Sequence, residues 1–367
     1  MQHQVTMFLQ PENDSTIFAL TKEDIMHKHI LLIVTAILLA LPSAGFAKDY
    51  TKVVTVGSPG GNFTSPIKAL ASITDASAKK TVLVKVMPGT YDLGTESLQM
   101  KEYVDLEGAG SDKTMITSSN FNTDIDNCAV GTVIMAQNSS LRNVKIVNSA
   151  QDTSNEAFIV GIVFDNVTAD TEGIRVQVGA DGVYNSPKYG ICSSGSAGHA
   201  TLKNVDIEVR NGNQGQSGAI ALNRDGNITL LNSKLAAFTQ EGNTHVIDCI
   251  NGQSMVGVLK VDNSQITGVI KGSRGGNRGI DVRDCKAVIA NTVVNLSGGN
   301  DNIGVIASHQ DVSIDSSKIY SPGKALVNDG ESTFKISNSL LQGSIPNLPN
   351  LILLHNYTDK DIPIPDR

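Results

Sequence analysis

No tryptophan occurs anywhere in the 367 residues, and aromatic side chains make up only 4% of them. Broad aromatic platforms for stacking on sugar rings are therefore scarce, because several of the seven Tyr and nine Phe must go to the core. A basic excess is missing too: 29 Lys and Arg face 36 Asp and Glu, which argues against nucleic acid or an anionic membrane as partner. Cysteine is sparse, and Cys128, Cys192, Cys249 and Cys285 do not have the spacing of a zinc site. An apolar stretch of comfortable membrane-spanning length is absent as well.

The longest apolar run, Ile30 to Leu41, is broken only by Thr35. His27, Lys28 and His29 precede it and Pro42-Ser43-Ala44-Gly45-Phe46-Ala47 follows, which reads as a secretory signal peptide over residues 26–47, cut after Ala47. Signals normally begin a chain, so Met26 reads as the start and residues 1–25 as a non-native or unstructured leader. Residues 1–47 hold two of the 29 basic and four of the 36 acidic groups, so the mature chain keeps 27 and 32 and a net charge of −5. A secreted or periplasmic protein with no stable membrane insertion after cleavage is expected; the rival reading of the apolar run is an uncleaved anchor. Export permits disulfides, and four cysteines allow three full pairings; the alternative is four buried small residues filling corners.

What the chain has in quantity is one phrase: an apolar residue, any residue, Asn, a small or β-branched residue, any residue, an apolar residue. It reads Leu141-Arg142-Asn143-Val144-Lys145-Ile146, Leu202-Lys203-Asn204-Val205-Asp206-Ile207, Leu230-Leu231-Asn232-Ser233-Lys234-Leu235 and Val261-Asp262-Asn263-Ser264-Gln265-Ile266. Further copies start at Ile289, Ile314 and Ile336, the second with Ser316 in place of Asn, and Phe164-Asp165-Asn166-Val167 is a partial copy. Apolar residues two places earlier, as in Ile228/Leu230 and Leu259/Val261, give the period of a strand with one buried face. Asn tolerates the left-handed backbone of a one-residue corner, and its amide can bond to its copy in the next turn. A second strand phrase precedes most copies, as in Gly218-Ala219-Ile220-Ala221-Leu222 and Gly279-Ile280-Asp281-Val282. The turn signals of hairpins do not alternate with these strands, so a sandwich is disfavoured. The expected fold is all-β, a right-handed parallel β-helix, one elongated domain over residues 48–343.

At its start, Thr64 or Ser65 caps a helix with Pro66 in its first turn and Ile67, Leu70 and Ile73 on one face, suited to cover the open end of the solenoid. At its end, residues 344–367 hold four prolines around Leu351-Ile352-Leu353-Leu354 and read as a segment folding over the last coil, followed by a tail.

Val84-Lys85-Val86-Met87-Pro88-Gly89-Thr90-Tyr91 and then Leu106-Glu107-Gly108-Ala109-Gly110-Ser111-Asp112-Lys113-Thr114-Met115-Ile116, after a strand and a Gly-rich turn, resemble the start of the pectin-lyase-like superfamily, most closely pectinesterases. The resemblance covers Val53 to Ser118 and implies a right-handed parallel β-helix. It also implies removal of methyl groups by two aspartates, as nucleophile and acid/base, with glutamines stabilising the oxyanion and an arginine positioning an aspartate. Gln216-Ser217-Gly218-Ala219-Ile220-Ala221-Leu222 is similar to the family's Gln-bearing A-V-A-L strand, but no D-F-I-F-G or Arg-Pro-Trp phrase follows. Gln151-Asp152-Thr153 reads as a surface loop.

Alternation gives an independent candidate site. In Gly279-Ile280-Asp281-Val282-Arg283-Asp284, Ile280 and Val282 point inward, so Asp281 and Arg283 point outward from one face. Asp248 and Arg224 in earlier coils and His309 in a later one would extend a groove of carboxylates, guanidinium groups and an imidazole, overhung by Arg274 and Arg278 from a Gly-rich loop. Such a groove suits acid/base work on a sugar or binding of a uronate. Asp281, Arg283 and Asp248 are the candidate catalytic residues; Arg224, Arg274, Arg278, His309 and Gln216 are the candidate substrate contacts. No acidic cluster is dense enough to name metal ligands, and no cofactor is expected. The expected function is a monomeric pectinesterase-like protein acting on or binding a uronate-containing polysaccharide. The rival is a non-catalytic solenoid binding glycan or protein at the cell surface.

Overall fold

The computed structural model describes residues 48–367 apart from 124–127, 152–156, 180–185, 196–197, 213–214, 224–225, 251–256, 284, 346–349, 359, 361 and 367. Residues 1–47, where a leader and a signal peptide are expected, lie outside these described residues. Among those residues, no helix is long and apolar enough to cross a membrane.

Each turn of the repeat is one coil of a right-handed parallel β-helix, in agreement with the sequence reading. One coil runs through His199–Lys203, a corner at Asn204, then Asp206–Arg210, a loop, and Ser217–Asn223 before returning. The first strands of successive coils stack into a 12-stranded sheet from Lys52–Val56 to Leu351–Leu354, and the other two strands of each coil belong to a second, wrapped sheet. Register aligns the repeat with itself: Leu202, Leu230, Val261, Ile289, Ile314, Ile336 and Leu353 pair in sequence down one column. All seven are buried and form part of the one continuous core. Six-residue helix α1, Pro66–Ala71, capped by Ser65, buries Leu70 against the first coils.

The corner residue is left-handed in every copy: Asn143, Asn166, Asn204, Asn232, Asn263, Asn291, Ser316 and Asn338 have φ between 47° and 54°. Their amides do not form the expected ladder of like on like. Asn263 donates to Asn232, 2.8 Å, but Asn143, Asn291 and Asn338 donate to the carboxylates of Glu107, Asp262 and Asp315. The longer ladder sits one residue later. Buried hydroxyls of Ser233, Ser264, Thr292, Ser317 and Ser339 each accept the backbone N–H of the corresponding residue one coil earlier, and Asn356 continues the series for Ser339.

The cysteines pair as Cys128–Cys192 and Cys249–Cys285. Cys249 and Cys285 lie inside the core, whereas Cys128 and Cys192 sit in a second apolar cluster with Phe158, Tyr189 and Ala221.

Six long strands position the candidate site: β1 (Ile159–Asp165), β2 (Lys188–Ser194), β3 (Ser217–Asn223), β4 (Thr244–Ile250), β5 (Gly276–Arg283) and β6 (Asp301–Ser308). Strict alternation fails within each of them. In β5, Asn277 is buried, Arg278 faces out, Gly279 and Ile280 both face the interior, and Asp281 faces out again. Small residues make that slip possible: a Cβ on Gly190 would lie 2.3 Å from Ile207 Cγ2, and one on Gly279 would lie 2.5 Å from Val294 Cγ1.

Candidate active site

Because residues on either side of the slip share the outer face, β1 to β6 carry two outer rows. The first row reads Val163, Cys192, Ala221, Asp248, Asp281 and Ile306, each in register with the next. The row is apolar at both ends and charged in the middle, so the two carboxylates are stacked in adjacent coils within an apolar frame. The second row includes Tyr189 and Gly218, paired between β2 and β3, and His245, Arg278 and Ile303, paired from β4 to β6.

Asp281 points outward as the alternation requires, yet it is 0% exposed, which corrects the expectation of an open groove. Two arginines arch over it. Arg278 Nη1 donates to Oδ2 at 2.8 Å, while Arg283 donates through Nε to Oδ1 at 3.0 Å and through Nη2 to Oδ2 at 2.9 Å. Burial works against the charge of Arg283, but the hydrogen bonds and charge of Asp281 outweigh it and raise the guanidinium above its ordinary value.

Asp248, 5% exposed, is held by neutral donors. The Tyr189 hydroxyl donates to its Oδ2 at 3.3 Å and Gln216 Nε2 donates to the same oxygen at 3.1 Å; Gln216 also donates to the Tyr189 hydroxyl at 2.7 Å. Tyr189 reaches across a whole coil to do so. Gly218 leaves it the space: a Cβ there would stand 2.6 Å from Tyr189 Cε1. Phe158 packs against the other side of the ring, with centroids 5.1 Å apart. Burial, followed by the charge and hydrogen bond of Asp248, pushes the Tyr189 phenol well above 10, so it stays protonated and donates.

His245 completes the group, with Nδ1 3.4 Å from Asp248 Oδ2 and 3.8 Å from Asp281 Oδ2. Three buried atoms here make no hydrogen bond: Asp248 Oδ1, His245 Nδ1 and Arg278 Nε. Buried polar atoms are nearly always satisfied, so three unsatisfied on neighbouring side chains single this cluster out as a candidate functional site. His245, Asp248 and Asp281 present atoms within 4.8 Å of one another, as metal ligands would. Here, however, two guanidinium groups already match the charge of two carboxylates, so a divalent cation would enter against two positive neighbours. The donor set suits proton transfer and anion stabilisation better than metal binding.

Asp248, Asp281, Arg283, Arg278 and Gln216 thus come together as a cluster. Arg224 lies outside the described residues. Arg274 is exposed ahead of β5 and is not among the bonded groups of the cluster. His309 follows the end of β6 with φ 64°, and the register partner of Asp281 is Ile306, so the imidazole of the site is that of His245. Arg278 belongs to β5 rather than to a loop above it. His245 and Tyr189 were not expected. Both lie across the slip from the carboxylate row, where a period of two carried through the strand puts them on the wrong face.

No protein-family model matches the chain, and no curated protein matches it in sequence. Solved structures do. The chain is similar to pectin methylesterase from carrot, 13% identical over 79% of this chain and 89% of that one, with TM-score 0.42. It is similar to the pectin methylesterase of Erwinia chrysanthemi, 13% identical over 88% and 93%, TM-score 0.41. It is also similar to the catalytic domain of an alpha-1,3-glucanase, 12% identical over 85% and 65%, TM-score 0.45. At these identities the likeness is one of fold.

Proposed function

We propose that this chain is an exported, monomeric β-helix esterase acting on an acidic, uronate-containing polysaccharide, with Asp248 as its reacting carboxylate. The observation that carries the reading is the set of three unsatisfied buried atoms: a carboxylate oxygen, an imidazole nitrogen and a guanidinium N–H on adjacent side chains. Those are the parts an ester hydrolysis needs, namely a nucleophile, a proton carrier and a donor for a developing oxyanion. The two carboxylates differ in surroundings and therefore in role. Asp281 has its oxygens taken by guanidinium groups and holds Arg278 and Arg283 in place, whereas Asp248 Oδ1 is buried without a partner.

In the forward step Asp248 Oδ1 forms a bond to the ester carbonyl carbon, the carbonyl electron pair moves to oxygen, and Arg278 Nε–H stabilises that charge, while Gln216 holds Asp248 and Tyr189. The C–O bond to the alkoxide breaks, and the alkoxide takes its proton from His245. Water then attacks the acyl carbon, gives a proton to His245, and releases the free acid and Asp248. Tyr189, protonated throughout, orients Asp248 through Oδ2. The likeness of Val53 to Ser118 to pectinesterases supports the choice of ester and substrate.

The test is release of methanol and acetate from highly esterified pectin by the mature chain from Lys48 onward. Release is expected from the wild type and should fall at least about a hundredfold in Asp248→Asn. A well-folded wild type that releases neither product refutes the esterase. A second reading, a non-catalytic glycan-binding solenoid, draws on the near-complete burial of both carboxylates. It requires binding that survives Asp248→Asn without any turnover.

A further inference from the structure

The two motifs that carry the family resemblance lie away from the carboxylate cluster, on a different strand column, and they frame a cleft of about 400 Å³. Its floor is a register column of the wrapped sheet, Thr90, Met115, Lys145 and Arg175 in four successive coils. Gly89 flanks that column, and the turn before Thr114 brings Lys113 and Ser111 to its rim. That turn is firmly built. Gly108 N–H donates to Arg142 O and Gly110 N–H to Asn143 O, and the Thr114 hydroxyl accepts from Ala109 N–H at 2.9 Å. A Cβ on Gly108 would stand 2.4 Å from Asn143 O, so the close approach needs glycine. Lys113, Lys145 and Arg175 therefore share one concavity on a chain whose mature form is net acidic. Asp112 at the rim is the one opposing charge among the lining residues, and Asp206, one coil on, fixes Arg175 at 3.1 Å through Nε.

We infer that this cleft binds a carboxylated stretch of polysaccharide, laid along the coil axis so that successive carboxylates meet Lys145 and Arg175. The inference rests on the polysaccharide reading above and assigns it a second, non-catalytic anchoring site. Two cations stacked at the coil repeat of ~4.8 Å, Lys145 and Arg175, give paired contacts that a polymer with several carboxylates engages more strongly than a single anion. Guanidinium against carboxylate provides the planar, two-pronged contact that gives such a row specificity.

The experiment titrates the full mature chain with a long oligogalacturonate, with galacturonic acid monomer and with a neutral glucan of matched length, by calorimetry at low and at moderate salt. Oligogalacturonate binding that weakens with salt, with the monomer and the glucan much weaker, is expected. Lys145→Ala/Arg175→Ala should weaken it at least tenfold, and Lys145→Glu further. Equal binding by the double variant, equal binding of the monomer or the glucan, or no binding of the long chain by the folded wild type overturns the anchoring site. Loss in Asp248→Asn alone places the binding at the carboxylate cluster and overturns it too. Ester release is measured separately on Lys145→Ala/Arg175→Ala with a small soluble ester, where it should persist, so failure of the anchor and failure of the esterase are told apart.

Discussion

Asp281 is fully buried beneath two side chains that remain a quarter to a third exposed, and that asymmetry decides what its loss would do. Asp281→Asn keeps the shape and removes the charge, so Arg278 and Arg283 face each other without the carboxylate that bonds both. Breaking a buried pair costs about 3–5 kcal/mol, and partial exposure of both guanidinium groups brings the expected loss down to about 2–3 kcal/mol. Urea unfolding reads it directly, and a variant as stable as the wild type would mean that the clamp does not balance the site. Tyr189 depends on a neighbour in a different way. Gly218→Ala puts a methyl group where its ring lies, and the overpacking should cost about 1–3 kcal/mol together with most of the turnover. In a Tyr189→Leu background part of that cost should go, while the part due to His245 O, 2.6 Å from the same Cβ, remains. Additive losses would show that the ring is not what fills the space over Gly218.

The corner and the residue after it do separable work in every coil. Asn263→Val places a β-branched side chain at φ 47° and removes the amide bond to Asn232, so about 1–2 kcal/mol of stability should be lost. Ser264→Ala leaves the buried Ser233 N–H without its acceptor, at about 1–3 kcal/mol. Chemical denaturation of both variants would rank the two devices. At the corner of Ser316, the neighbouring Asp315 accepts from Ser337, Asn338 and Ser316, which hold its carboxyl below the ordinary range. A carboxyl lowered on folding contributes stability that is complete above its unfolded value, about 3.9, and is lost as pH falls through the folded one. Asp315→Asn should therefore flatten part of the acid limb of the stability profile and leave its neutral part shifted by a constant. An unchanged acid limb would rule out that contribution. The corners, the core columns and the placement of Asp248, Asp281 and Arg283 on one face were all legible from spacing, because a solenoid repeats one local rule. Burial of Asp281, the role of His245 and the reach of Tyr189 were not. They depend on a parity slip in each strand, at Gly190, Val246 and Gly279, and where it falls on glycine a pattern of apolar residues does not record it because there is no side chain to mark a face. The hydroxyl ladder was visible as small residues after each Asn, but size alone did not show that their oxygens, rather than the amides, carry the inter-coil bonds.

Along the stack a coil contacts chiefly its immediate neighbours, with Tyr189 reaching one coil further, so stability is close to a sum of coil and interface terms rather than one global transition. The consequence is sharpest at the C-terminal end, where Leu351–Leu354 forms the last strand of the 12-stranded sheet and buries Leu351 and Leu353. Phe334 N–H donates to Asn350 O and Asn338 N–H to Leu354 O, so this strand satisfies the edge of Phe334–Ser337. A chain ending at Ser344 leaves that edge open, uncovers Phe334 and Ile336, and should self-associate through the unpaired strand. Hydrogen exchange distinguishes local from global damage. Amides of Phe334–Ser337 should lose protection in the shortened chain, while those of β3 to β5, several coils away, keep theirs. If β3 to β5 lost protection together with the end, the stack would be folding as a single cooperative unit, and a site enclosed by side chains from four neighbouring coils would depend on the integrity of the far end.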